Sequence, residues 1–197
     1  MRAVKEQDYH KAFQHFEDGL KIDPDNLAAR VSYARALYLG GQDEAALAQL
    51  NGVLERKPEQ TLANFLLAVL RQSRGESDAA IEHYERILQH DERHAGARFY
   101  LANLLLERGQ YAEAAKQYAA ALAVDPDIPP ARLLELVARQ RTGEPDRMIA
   151  AALEQRVTDH PGQPELKYAL ARLYSLSTDT DARDSARALT LANQLAP

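Results

Sequence analysis

Residues 109–127, GQYAEAAKQYAAALAVDPD, repeat in outline a stretch near the start of the chain, residues 7–25, QDYHKAFQHFEDGLKIDPD. Each places an aromatic residue two positions in (Tyr111, Tyr9), then an alanine (Ala114, Ala12), a second aromatic (Tyr118, Phe16), a leucine (Leu122, Leu20) and a closing Asp-Pro. The recurrence poses one question: does it encode a chemistry or a shape?

The same columns run on between and beyond these two stretches. Gly41, Gly75, Gly109 and Gly143 are spaced 34 apart, as are Ala12, Ala46, Ala80 and Ala114, with Met148 next in phase. Phe16, Leu50, Tyr84 and Tyr118 form a third series, Leu20, Leu54, Leu88 and Leu122 a fourth, and Ala34, Ala68 and Ala102 a fifth. Pro24, Pro58 and Pro126 close the frame, with Glu92 in place of proline once. A period of this length marks a stacked repeat of one supersecondary unit.

Within the unit the apolar residues step by three and four. Leu101, Ala102 and Leu105, then Ala114, Tyr118, Ala121 and Leu122, fall on one face of each of two helices. Glycine separates the helices, because the turn needs backbone angles that only glycine adopts cheaply. Proline lacks an N–H and disfavours helix before it, so it ends the second helix. The alanines mark where the two helices cross, and a larger side chain there would force them apart. The fold class expected is all-α, about eleven helices in antiparallel pairs stacked as an α-solenoid.

These columns resemble the tetratricopeptide repeat (TPR), a helix–turn–helix of 34 residues, and the resemblance implies that the α-solenoid is right-handed. Leu101, Ala102, Gly109, Tyr111, Ala114, Tyr118, Ala121 and Pro126 carry the match in the unit where it is clearest. Arg30, Asn64 and Arg98 stand where the family often has tryptophan. The division expected is a half unit at 1–26, full units at 27–60, 61–94 and 95–128, a degenerate unit at 129–163 and a divergent one at 164–197. In the degenerate unit Glu135, Met148 and Arg156 replace leucine, alanine and leucine, and Pro145 suits the first turn of a helix. In the last unit a longer polar loop, STDTDARD, joins LARLYSL to ARALTLANQLAP.

The ends carry an expectation of their own. Met1 falls inside what would be the first helix of the first unit, and Pro197 where the last helix stops. Ala188, Leu189, Leu191, Ala192 and Leu195 then have no evident successor to cover them. A solenoid normally closes with a polar face, so either a piece of a longer chain or an end that dimerises is expected.

Composition narrows the function classes. Of the 197 residues 46% are hydrophobic and 27% charged, values of a globular chain. A net charge of −5 lacks the basic footprint of a phosphate-backbone binder, so nucleic acid is not expected as a partner. The absence of cysteine removes disulfides, thiolate metal sites and cysteine nucleophiles. The longest apolar runs, such as FYLANLLL at 99–106, are too short for a membrane span. The opening MRAVKEQDYH has no apolar h-region of a signal peptide. An Ala- and Arg-rich composition points to a GC-rich bacterium, with cytoplasm and periplasm both open.

No catalytic motif stands out. His90 and His94 are spaced like metal ligands on a helix, but they straddle the end of a unit, where the helix should stop. The serines lack the strained setting of a nucleophile elbow, and no glycine-rich phosphate loop is present. No catalytic residue, metal or cofactor is expected.

What the resemblance implies is binding. In the TPR family the first helix of each unit lines a concave groove that holds a peptide or protein segment. Carried onto this sequence, the groove positions are Val31, Ser32, Arg35 and Tyr38; Phe65, Leu66, Val69 and Gln72; Phe99, Tyr100, Asn103 and Leu106; and Leu133, Leu134, Val137 and Gln140. Of the lysine–asparagine–arginine clamp with which co-chaperone members grip a carboxylate tail, only Asn103 is present; Val31, Phe65 and Phe99 stand where lysine is needed. Phe65, Leu66, Val69, Phe99, Tyr100 and Leu106 would instead give an apolar, aromatic stripe, unless Phe65, Leu66 and Phe99 are spent in the core. The leading expectation is a non-catalytic scaffold that binds a peptide or protein segment for complex assembly. The alternatives are the periplasmic repeat segment of a bacterial envelope export or exopolysaccharide-secretion protein, with polysaccharide as ligand, and the accessory domain of an enzyme.

Overall fold

The computed structural model describes residues 2–195, with side chains from Tyr9 onward; Met1 and Pro197, on which the reading of the ends turned, lie outside the described residues. Eleven α-helices and no strand are found among the described residues. They group into two compact units, 1–92 and 93–197.

The first unit holds α1 (Arg2–Ile22), α2 (Leu27–Leu39), α3 (Asp43–Arg56), α4 (Thr61–Ser73) and α5 (Ser77–His90). The second holds α6 (Ala95–Glu107), α7 (Tyr111–Val124), α8 (Pro129–Arg141), α9 (Asp146–Asp159), α10 (Pro164–Leu176) and α11 (Ser185–Leu195). Within each unit every helix packs against its chain neighbour.

The four glycines set 34 apart all make the same turn. Gly41, Gly75, Gly109 and Gly143 have φ between 74° and 86°, where a side chain on Cβ is strained. Around each, two backbone bonds close the helix end: Gly109 N–H donates to Leu106 O and Gln110 N–H to Leu105 O, with the same pair at the other three. This is a Schellman closure, which satisfies carbonyls the helix end would leave bare. Where the period would place a fifth such glycine stands Gln7, and α1 runs through it without a turn. Gln42, Glu76 and Gln110 then serve at once as the last residue of the turn and the N-cap of the next helix.

The connections back are built differently. Asn26 and His94 cap α2 and α6 by accepting the N–H of Ala29 and Ala97 at 2.9 and 3.0 Å, and Gln60 accepts from Ala63 in the same way. The column where the family carries tryptophan also works on these loops. Arg30 Nε and Nη2 donate to Pro24 O at 3.1 and 3.0 Å, Asn64 Nδ2 donates to Pro58 O at 2.8 Å, and Arg132 Nη2 donates to Pro126 O. A polar side chain in the first turn thus ties down the proline carbonyl that ends the preceding helix.

Ala34, Ala46, Ala68, Ala80, Ala102 and Ala114 are fully buried, as expected of helix crossings that only a methyl group fits. In the first unit the core gathers Phe13, Tyr33, Leu37, Leu50 and Leu67, with Phe16 stacked on Tyr33 at 5.6 Å. Gly40 makes its own demand there, since a Cβ would lie 2.6 Å from the ring of Phe13. In the second unit Leu136, Ile149, Leu153, Leu166 and Leu170 form a core that Ala188 of α11 joins, with Leu191 packed against it.

The degenerate stretch departs from the sequence count. Glu144 closes the turn after Gly143, but the N-cap is Pro145, one residue later than in the other pairs. The extra residue rotates α9 by about 100° relative to the 34-residue count. Ile149, 3% exposed, therefore packs where alanine packs in α7, while Met148 is 53% exposed. Arg156 is shifted likewise: it takes the place of Ala121 rather than of a leucine. The loop STDTDARD is folded rather than loose, with Ala182 buried, Ser177 Oγ donating to Asp146 at 2.6 Å and Asp184 N–H to Tyr174 O at 3.1 Å.

Candidate functional site

Successive first helices touch directly within each unit, α2 with α4 and α8 with α10. Residues at the fifth and ninth positions of each share one helix face. In the first unit these are Val31 and Arg35 on α2 and Phe65 and Val69 on α4; in the second, Phe99 and Asn103 on α6, Leu133 and Val137 on α8, and Tyr168 and Arg172 on α10.

Val31 must be withdrawn from the candidate surface. It is 1% exposed and belongs to the core with Leu37, Leu50 and Leu67, because its short branched side chain ends inside that cluster. Tyr38 and Leu66 pack on the same core but keep an exposed part, and Arg35 is exposed. Phe65 is half-buried, its ring meeting the buried Tyr84 edge to face at 5.9 Å; Val69, about one turn further along α4, is half-buried too.

Phe99 repeats that arrangement on α6. Its ring lies 6.0 Å from the buried Tyr118 and 5.3 Å from Tyr100. Tyr118 Oη donates to Asn103 Oδ1 at 2.6 Å, and burial pushes the Tyr118 phenol well above its ordinary pKa, so it stays a donor. The carbonyl of Asn103 is thereby spent inside the fold. Its amide nitrogen makes no hydrogen bond among the described residues. Phe65 and Phe99 are thus both core and surface, one edge on a buried tyrosine and the other side partly exposed. Leu106 on the same helix is also half-buried.

Leu133 and Val137 are brought together with residues of α10 to line a cleft of about 550 Å³ between α8, α9 and α10. The buried Leu136, Ile149 and Leu153 form its floor. Tyr168, 63% exposed, and Leu176, 69% exposed, stand on the α10 side, with Arg141 and Arg172 also lining the cleft. Tyr168, Arg172 and Leu176 are functional candidates that the structure adds to the positions expected from sequence. The signal was there: counted from Pro164, Tyr168 and Arg172 occupy the fifth and ninth positions, as Leu133 and Val137 do counted from Pro129.

Several polar side chains that could have suggested chemistry are engaged in structure. Glu135 accepts from Arg156 and from Arg139 at 3.4 Å, and Arg139 also donates to Glu144, whose carboxyl it holds below the usual range. His83 Nδ1 pairs with Asn64 Oδ1 at 2.9 Å. His94, read as one of two metal-spaced histidines, spends Nδ1 on capping α6. Among the described residues no group of three or more His, Asp or Glu is placed to hold a metal ion, and no helix is long and apolar enough to cross a membrane.

A family model described as tetratricopeptide repeat matches residues 3–70 and again 72–139. No curated protein matches the chain. Among solved structures, YrrB, titled a TPR protein with an unusual peptide-binding site, superposes with a TM-score of 0.75 at 15% identity, covering 91% of each chain. A tetratricopeptide repeat protein from Parabacteroides merdae reaches 0.73 at 18% identity over 98% of this chain and 74% of that one. A MamA fragment from Desulfovibrio magneticus reaches 0.72 at 18% identity over 87% and 95%. At these identities the likeness is one of fold, an α-solenoid of antiparallel helix pairs.

Proposed function

The chain belongs to the tetratricopeptide repeat family, and we propose that it is a non-catalytic scaffold that binds a peptide or protein segment on first helices of its repeats, α8 and α10 above all. The observation that carries this reading is the cleft at α8 and α10. It combines a buried aliphatic floor, half-exposed aliphatic walls from Leu133 and Val137, and an exposed tyrosine at its edge. A concave, mostly apolar site with few polar groups is the usual form of a binding site, and an aromatic anchor is the usual source of its energy. Within their own units, Phe65 on α4 and Phe99 on α6 are half-exposed aromatic residues of the same chemistry. A protein of the same fold, YrrB, is titled as having a peptide-binding site. Engagement of Glu135, Glu144, His83 and His94 in internal bonds supports the non-catalytic part of the reading.

The test is selection from a displayed random-peptide library on the 197-residue chain, followed by affinity measurement on Val137→Asp and Tyr168→Ala. Selected peptides should bind the native chain and lose about tenfold or more in affinity to each variant. Thermal midpoints for Tyr168→Ala should stay close to the native value, because that side chain is mostly exposed. Peptides that bind both variants undiminished, or a library that yields no binder, would reject the proposal.

A further inference from the structure

We infer that the cleft at α8 and α10 selects acidic amphipathic segments, its two arginines, Arg141 and Arg172, holding carboxylates while Leu133, Val137 and Leu173 hold the apolar side chains. The inference rests on the proposed function and adds the chemistry of the partner.

It comes from the charges in the cleft. The ionisable residues lining it, apart from Tyr168, are Arg141, Arg172 and Asp146. Asp146 is already satisfied on both oxygens: Gln140 Nε2 donates to Oδ1 at 2.7 Å and Ser177 Oγ to Oδ2 at 2.6 Å. It also sits in the first turn of α9, where the helix dipole favours an anion for structural reasons alone. Arg141 and Arg172 are different. Both are exposed, and neither makes a hydrogen bond or ion pair among the described residues.

Most other arginines in the unit have such partners: Arg139 has Glu144, Arg147 has Asp179, Arg156 has Glu135 and Arg187 has Glu154. In a chain of net charge −5, two unpaired guanidinium groups beside an apolar cleft give it a local charge opposite to that of the molecule. Guanidinium matches carboxylate in a two-bond fork, so glutamate or aspartate flanking apolar residues is the complementary ligand. A basic segment would meet both arginines with its own charge, and a neutral apolar segment would leave both without a partner.

The probe is a labelled amphipathic peptide of the pattern Leu-Glu-Glu-Leu-Leu-Glu-Glu-Leu, compared with its Gln and Lys forms by fluorescence anisotropy on the full chain. The Glu form should bind about tenfold more tightly than the Gln form, and Arg141→Glu or Arg172→Glu should remove that preference. Raising the salt from about 0.05 M to about 0.5 M should shrink it as well. Arg141→Gln and Arg172→Gln, which add no repulsion, should give an intermediate loss, with helical content unchanged. Equal or tighter binding of the Gln or Lys form overturns the inference. If the Gln form also loses affinity on Tyr168→Ala, the proposed function stands and only the acidic preference falls; if no form binds at all, both fall. Self-association of the native chain that Arg141→Glu abolishes would place a second copy in the cleft and also overturn it.

Discussion

Helix pairs α6–α7 and α8–α9 belong to the same compact unit and turn on the same glycine closure, yet their interfaces are made of different material. In the first pair Leu101 and Ala121 are buried and apolar. In the second, Glu135 stands where Leu101 stands, and Arg156 stands where Ala121 stands because Pro145 adds a residue before α9. The Glu135 side chain is 8% exposed and that of Arg156 21%, and the two pair directly. Arg156 also donates to Arg132 O, and Arg139 reaches both Glu135 and Glu144. The repeat thus tolerates a charged interface where each group finds a partner. It would not tolerate half of one, since removing one partner of a buried pair leaves an uncompensated charge that costs about 3–5 kcal/mol.

The largest effect expected tests that statement. Glu135→Ala should destabilise the protein by about 3 kcal/mol, because it leaves Arg156 partly buried against a bare backbone carbonyl. Glu135→Leu combined with Arg156→Leu should be close to neutral, or more stable than native. Denaturant titration of the two variants decides it. If the double change costs as much as the single one, the interface is set by packing and not by charge compensation.

A smaller effect probes what the two pairs share. Gly109→Ala and Gly143→Ala should each cost about 1–2 kcal/mol from the left-handed backbone alone. Neither Cβ meets a close neighbour: at Gly109 the nearest atoms are those of Tyr111 at 3.8 Å, and at Gly143 none lies within 4 Å. Equal losses in thermal melts would show that the turn is the same in both pairs; a much cheaper Gly143→Ala would show that the added Pro145 has relaxed it.

The smallest effect contrasts the ion pair with a neutral one. Asn64 Nδ2 donates to Pro58 O and Gln60 O, which leaves Oδ1 to accept from His83 Nδ1–H. Burial, with Arg86 and Arg71 nearby and Glu82 opposing, lowers the His83 pKa below its ordinary 6.5. The folded protein therefore takes up this proton less readily than the unfolded chain. The stability it contributes is whole above pH 6.5 and is lost as pH falls through the folded value. His83→Gln should flatten that slope in urea titrations run across mildly acidic pH; an unchanged slope would assign the acid sensitivity elsewhere.

Much of this molecule could be read before any coordinates. The glycine turns, the proline breaks and the fully buried alanines follow from local rules: backbone angles, a missing N–H, and the space left at a helix crossing. What escaped the reading did so for identifiable reasons. The count of 34 passes through Gly143 unbroken, so nothing in the column pattern shows that Pro145 displaces Met148 from the interface and brings Ile149 in. Val31 was placed on the surface by analogy of position, but whether a short side chain reaches that surface depends on its neighbours. Asn103 was legible as a polar candidate; that Tyr118 takes its carbonyl and leaves only its amide was not.

The sequence by itself determined the repeat, its all-helical class and the places of its turns, because each depends on residues close along the chain. Only the tertiary structure decided which charges are spent and which are left over. Arg156 and Arg172 look alike in a string of letters, but one reaches Glu135 on a neighbouring helix and the other stands unpaired beside an apolar cleft. Pairing of that kind is a matter of distance across helices, which the period of a repeat does not encode.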